Sequence, residues 1–305
     1  MALVILSARR ALLNRMNEGR KPKIATALHQ YRETVAQHNI LRLRILADGM
    51  EAQSGPPHWS PGLAEKCRIE AFDRFYLMLP LPESVIAVRD LFNDDVRAEL
   101  TRSRELDGVC HKPVDAEARA GCFAALRTRI VEMNVDAAAL AEFPPADLEC
   151  LFTLVDSISG SGLPYYRQRQ QLECEVPLRL DMSSDVALDA RESNELSWVW
   201  DEWEIAVAVQ IGAQSDDGFN GGGLALFCGN EDDPYHGQWK WRYGIRDCEE
   251  SVSDVYDSVE DFLAFYAHFR EQTEEQITKD IRYLNGMYPT AYSPLESFLS
   301  RRYRE

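Results

Sequence analysis

Side chains able to do chemistry are spread thinly along this 305-residue chain, and the densest collection is aromatic. Trp198, Trp200, Trp203, Trp239 and Trp241 put five of the six tryptophans within 44 residues, and Tyr243 follows two positions later. An indole buries a large area and carries one N–H, so such a cluster either fills a sheet core or anchors a partner protein. Trp198 and Trp200 are two apart, as are Trp239 and Trp241, so each pair shares one face of a strand and one pair is free to be exposed. These six residues form the candidate partner-binding set.

The other chemical candidates have simpler readings. Gly218 to Gly223 (GFNGGG) has the glycine content of a phosphate cradle, but no Lys-Ser/Thr follows and no helix opens after it, so it reads as a hairpin connection. Asp216-Asp217 and Asp232-Asp233 lack the spacing and terminal glutamate of a calcium loop and read as solvated turns. Seven cysteines, at 67, 110, 122, 150, 174, 228 and 248, form no C-x-x-C pair, and neither His111 beside Cys110 nor His236 after Cys228 completes a zinc set. No metal and no cofactor are expected. Leu3 to Leu6 followed by Ser7 could be a strand leading to a nucleophile, with Arg9, Arg10 and Arg15 on a following helix. No His, Asp or Lys is spaced to serve Ser7 as a base, and an apolar first helical turn explains the same residues.

The elements that must position these groups are clearest after residue 197. Glu204 to Gly212 (EIAVAVQIG) and Leu224 to Gly229 (LALFCG) are short apolar runs bounded by glycine and acidic turns, which predicts strands. Trp239 to Ile245 (WKWRYGI) alternates, so Trp239, Trp241, Tyr243 and Ile245 should share a face. Ser258, with Asp261 three residues on, predicts a helix start, and Phe262, Phe265, Tyr266 and Phe269 give it one apolar face for the sheet. Thr273 and Gln276 form a similar box for a further helix to Leu284.

Upstream the pattern is helical. Ala11 to Met50 carries a stripe of Leu28, Tyr31, Val35, His38, Leu41 and Ile45 that Gly49 could end. Further helices are expected at 63–79, from Ser84 to about Glu105, and from Asp115 with Phe123, Leu126, Ile130 and Met133 on one side. Phe143-Pro144-Pro145 interrupts helix and marks the boundary, after which Ala146 to Ile158 opens the next part. The expected organisation is α+β: a helical domain over 1–140, an α+β domain over 141–270 built on an antiparallel sheet with flanking helices, and a C-terminal helix with a basic tail (Arg301, Arg302, Arg304) over 271–305.

This order resembles the SUKH superfamily, the fold of fungal cell-wall-synthesis regulators and of many bacterial toxin-immunity proteins. The likeness spans roughly 145–270: the strand ending in Ile211-Gly212, the glycine loop into Leu224-Ala225-Leu226, Gly237 with Trp239 to Trp241, the closing Asp257 to Leu263, and Ala146 to Tyr166 as opening helix and loop. It implies an intracellular protein-binding or regulatory module without catalysis. The N-terminal Leu3 to Ser7 arrangement is similar to that of tRNA-dependent cyclodipeptide synthases. That alternative implies Ser7 as nucleophile, with Tyr165, Tyr166, Glu173 and Glu175 in the aminoacyl pocket and the basic N-terminal segment meeting tRNA.

Charge separates the partners each reading would need. The net charge of −17 hides nine Lys or Arg against two acids in residues 1–45, and 24 against 48 in the remainder. Residues 181–280 alone hold 24 acids and six bases, a field that repels phosphate backbones and attracts basic proteins. Nucleic acid is therefore an unlikely partner except tRNA under the alternative, and a basic protein is the expected one. No run approaches the roughly 18 apolar residues of a membrane span, and Met1 to Leu6 with basic residues after it reverses a secretory signal. A cytoplasmic or nuclear location with no membrane partner is expected.

Overall fold

Helix dominates the first part of the chain and an antiparallel sheet the second, an α+β architecture with helices flanking the sheet. The computed structural model describes residues 2–51, 60, 62, 65, 66, 69, 85–103, 106–109, 115–132, 137–155, 157–159, 179–181, 190–192, 200, 202–210, 222–230, 237–246, 253–269 and 271–279. Contacts divide the chain into two compact units. The first holds Met1–Arg32, Gly108–Gly160 and Leu172–Ala267, and the second Glu33–Asp107, Ser161–Gln171 and His268–Glu305. This division is discontinuous in sequence and does not coincide with one drawn at Phe143-Pro144-Pro145, which lies inside the first unit. Phe143 is buried there, and its carbonyl accepts from Arg127 Nη1 at 2.7 Å.

Helix α1 (Ala2–Glu51) starts five residues before Ser7, so Leu3 to Leu6 form helix rather than a strand. It also runs through Gly49 instead of stopping there: one glycine costs a helix only about 1 kcal/mol, and Glu51 at its end is held by Arg89 Nε at 3.2 Å. Its buried stripe is Ile24, Leu28, Tyr31, Val35, His38, Asn39, Arg42, Leu43 and Ala47, so Arg42 and Leu43 take the inward place expected for Leu41, which is exposed.

The single helix expected from Ser84 is broken into a short 3-10 turn (Val88–Phe92) and helix α2 (Asp94–Ser103). The cause is local. Asp90 Oδ2 accepts from the backbone N–H groups of Ile86 and Ala87 at 3.0 and 2.8 Å, and Asn93 adopts extended backbone and takes the Arg97 N–H as a new helix begins. Helix α3 (Ala116–Glu132) matches expectation: Asp115 Oδ1 caps it by accepting from Glu117 and Ala118 N–H, and Phe123, Leu126 and Ile130 are buried. Met133 and most of 63–79 lie outside the described residues.

After α4 (Ala137–Glu142) and α5 (Ala146–Leu154), strands β1 (Ser157–Ser159) and β2 (Arg179–Asp181) pair antiparallel. The main sheet runs β3 (Ala190–Glu192), β4 (Glu204–Gln210), β5 (Gly222–Gly229) and β6 (Lys240–Arg246), every neighbouring pair antiparallel. Three long strands thus form a meander and β3 runs beside β4. Alternation along β5 sends Ala225 and Phe227 to one face and Leu224, Leu226 and Cys228 to the other. An irregularity between Ile205 and Val207 shifts the register of β4, which puts Ile205 and Ala208 together in the second face's cluster.

Helix α6 (Val259–Tyr266) covers the first face. Ser258 Oγ accepts from Asp261 N–H at 3.2 Å, the expected cap, and the buried stripe is Val259, Phe262, Leu263 and Tyr266. Phe265 is half-buried, stacked on Tyr256, and Phe269 lies beyond the helix, so the stripe sits rotated from the one expected. Each such side chain removed from water contributes about 1.5–3 kcal/mol. Ring contacts run from Phe143 to Trp241 and Phe227, and from Tyr243 through Phe262 and Tyr266 to Tyr31 of α1. Helix α7 (274–279) follows, its Thr273 N–H donating to Gln276 Oε1 and Gln276 N–H to Thr273 Oγ1, the box read from the sequence.

Candidate binding end of the sheet

The aromatic cluster separates into core and surface members. Trp200 is only 5% exposed and Trp241 6%, and they lie on opposite faces of the sheet. Trp200 packs with Ile205, Ala208, Leu224, Leu226 and Cys228 and donates its indole N–H to Ser253 O at 2.8 Å. A Cβ at Gly244 would lie 3.0 Å from its ring, so glycine is what lets β6 pass beneath it. Trp241 donates to Ala139 O at 3.2 Å.

Tyr243 is fully buried and donates its hydroxyl to Asp147 Oδ1 at 2.7 Å. Burial first, then the Asp147 charge and hydrogen bond, raise this phenol well above the ordinary tyrosine range, so it remains a neutral donor. Asp147 Oδ2 also accepts the Val259 N–H at 3.2 Å, tying α5, β6 and the start of α6 together. Trp200, Trp241 and Tyr243, three of the six residues in the partner-binding set, are thus buried in this fold.

Trp203 and Trp239 are different: both are partly exposed, at the same end of the sheet. Trp203 immediately precedes β4 and lies over the guanidinium of Arg242, 4.7 Å from carbon to ring centroid. Trp239 immediately precedes β6 and covers the other face, its ring 5.9 Å from that of Phe227 and 3.1 Å from where a Gly229 Cβ would stand.

Under Trp203 lies a charge network that the sequence reading missed. Arg242 is 1% exposed, yet Nε and Nη1 are occupied: Nε donates to Asp257 Oδ1 at 2.6 Å, and Nη1 to Cys228 O and Gln238 O at 2.6 and 3.1 Å. Burying a cation costs several kcal/mol unless it is paired and hydrogen-bonded, and these partners meet that condition. Lys240 Nζ reaches the same carboxylate oxygen at 3.1 Å. Burial pushes the Asp257 carboxyl up, but hydrogen bonds and charge from Arg242 and Lys240 outweigh it and hold the group below the usual carboxylate range. Asn230 Nδ2 closes the edge by donating to Glu202 O at 2.9 Å. Nothing in WKWRYGI marks Arg242 as inward; alternation alone reads it as solvent-facing.

This end presents one partly exposed indole on each face of the sheet, and beside Arg242 a carboxylate that is 48% exposed and a poor proton acceptor because it is held ionised. Such groups supply contact and orientation rather than proton transfer. Cys150 and Cys228 are buried thiols; burial raises both, Cys228 to about 11 despite Arg242, which leaves them inert near neutrality. Ser7 lies in helix α1, so the strand–nucleophile–helix arrangement is not formed. Trp198, Tyr165, Tyr166, Glu173, Glu175, both aspartate pairs, Cys110, His111, His236 and most of the glycine loop lie outside the described residues. Among those described, no group of three or more His, Cys, Asp or Glu could hold a metal ion, and no helix is long and apolar enough to cross a membrane.

In comparisons with known proteins, the chain matches no family model, no curated protein and no solved structure.

Proposed function

We propose that this chain is an intracellular protein-binding or regulatory module of the SUKH type, acting in the cytoplasm or nucleus on a basic protein partner. The observation that carries this reading is the order α5, then the β4–β5–β6 meander, then α6 laid across it, with two partly exposed tryptophans at one end of the sheet. That order agrees with the resemblance read over 145–270, and fold alone does not assign a function. Partly exposed indoles are the side chains most enriched at binding hot spots. The excess of acids over 181–280 favours a positively charged partner and speeds its approach.

The experiment is affinity capture from native cells with the full chain as bait, beside a Trp203→Ala, Trp239→Ala variant and a Ser7→Ala variant. A basic protein retained by the parent and by Ser7→Ala, and lost with a double variant that circular dichroism shows to be still folded, supports the reading. Recovery of no specific partner, or equal recovery by a folded double variant, overturns the sheet-end site. Loss of a defined reaction product on Ser7→Ala, with circular dichroism unchanged, would overturn the binding-module reading in favour of the tRNA-using enzyme.

A further inference from the structure

Trp203 and Trp239, the partly exposed indoles at one end of the sheet, are held in different ways. Trp239 meets β5 face-on. A Cβ at Gly229 would stand 3.1 Å from Cγ, Cδ1 and Cδ2 of the indole alike. A point equidistant from three atoms of one ring lies above the ring plane, so one face of the indole rests on the Gly229 backbone. Phe227, buried on the same side of the sheet, supports the ring at 5.9 Å and an interplanar angle of 36°. The surface that Trp239 keeps therefore lies on the side turned away from Gly229.

Electrostatics separates the two indoles. The face of an aromatic ring is negative and attracts a cation, tryptophan most strongly. Trp203 already gives a face to the guanidinium of Arg242, 4.7 Å from carbon to ring centroid, and a second cation brought to that ring would be repelled by the first. Among the described residues no cation lies over Trp239. Lys240 and Arg242 are two apart in β6 and share Asp257 Oδ1, so alternation puts both on the side of the sheet opposite Trp239. The surrounding sequence favours positive charge, with 24 acids and six bases over 181–280.

We propose that the outer face of Trp239 is the seat for an arginine side chain of the basic partner, and that Trp203 supplies apolar contact only. The proposal rests on the reading of this sheet end as a protein-binding site. Arginine suits the seat better than lysine, because its planar guanidinium is weakly hydrated and stacks flat on a ring. Arg242 against Trp203 is a contact of the same kind made within the chain.

NMR titration of the full chain with a capped Gly-Arg-Gly-Arg-Gly peptide, and with its lysine and citrulline counterparts, tests this. Citrulline keeps the shape of arginine and removes its charge. The Trp239 indole N–H resonance should shift most with the arginine peptide, less with lysine and least with citrulline. Affinity followed at the Gly237 and Asn230 amides should fall about 3- to 30-fold in Trp239→Leu, the span of one cation–π contact, and by less than about two-fold in Trp203→Leu. Equal affinity for arginine and citrulline, no loss in Trp239→Leu, or a loss confined to Trp203→Leu would overturn the arginine seat and leave a protein-binding sheet end standing. No shift at either indole overturns the seat as well, and capture from cells then decides the sheet end on its own. Should Trp239→Leu fail to fold, fluorinated tryptophan incorporated into the parent decides. Each added fluorine makes the ring face less negative, so affinity for the arginine peptide should fall stepwise while that for citrulline stays constant; an unchanged arginine affinity overturns the proposal.

Discussion

Removing the Arg242–Asp257 pair one partner at a time tests how the sheet end is built. Arg242 is 1% exposed while Asp257 is 48% exposed, so the pair is neither a surface ion pair nor a fully buried one. Exposed pairs are worth about 0–1 kcal/mol, and breaking a fully buried one costs about 3–5 kcal/mol. Here water can enter where the carboxylate stood, and Arg242 keeps the Cys228 and Gln238 carbonyls, so the loss should approach that of a charged hydrogen bond, about 1.5–3 kcal/mol. A cycle of Arg242→Met, Asp257→Ala and the double variant should yield that coupling energy. Urea unfolding followed by tryptophan fluorescence and circular dichroism measures it, with unchanged m-values as the check that only stability moved. The folded carboxyl sits below its ordinary 3.8, so its contribution is complete above that value and is lost as pH falls through the lower folded one. The coupling should therefore be constant between about pH 6 and 8 and disappear in strong acid. A coupling under about 0.5 kcal/mol, or one that survives acid, would refute the reasoning, because it would mean that the backbone carbonyls alone stabilise Arg242.

Two further outcomes follow from the placement of the aromatic residues. Trp200→Ala should cost about 3–5 kcal/mol in the same unfolding assay, because it opens a cavity beneath Gly244 and leaves Ser253 O without its donor, while Trp203→Ala should cost less than half as much. Tyr243→Phe should cost about 1.5–3 kcal/mol, since Asp147 loses a donor at 2.7 Å in a dry site, and in spectrophotometric titration the variant should lack one of the tyrosines that resist ionisation in the parent, Tyr243 and Tyr256 among them.

Local rules account for the elements that were legible in the chain. Ser258 with Asp261, Thr273 with Gln276 and Asp115 before α3 act through hydrogen bonds within a few residues, so their types and spacing are sufficient to mark helix starts. The runs that became β4, β5 and β6 are legible for a similar reason: short apolar stretches bounded by glycine have few other ways to be buried. The break at Asn93 was less so, because Asp90 competes for backbone donors inside a run with helical periodicity.

Tertiary structure decided everything that depends on two faces or two distant segments. Alternation in WKWRYGI separates odd from even positions but is silent on whether the second face is covered; Trp200 and Val255 cover it, and that turns Arg242 from an expected surface residue into a buried cation. Its carboxylate, Asp257, is fifteen residues away, and the carboxylate that Tyr243 needs, Asp147, is 96 residues away, so no spacing rule could join either pair. The tryptophans divide on the same ground. Their clustering by residue type was visible in the chain, but burial is a property of what packs against each ring, and only the folded sheet separates Trp200 and Trp241 from Trp203 and Trp239.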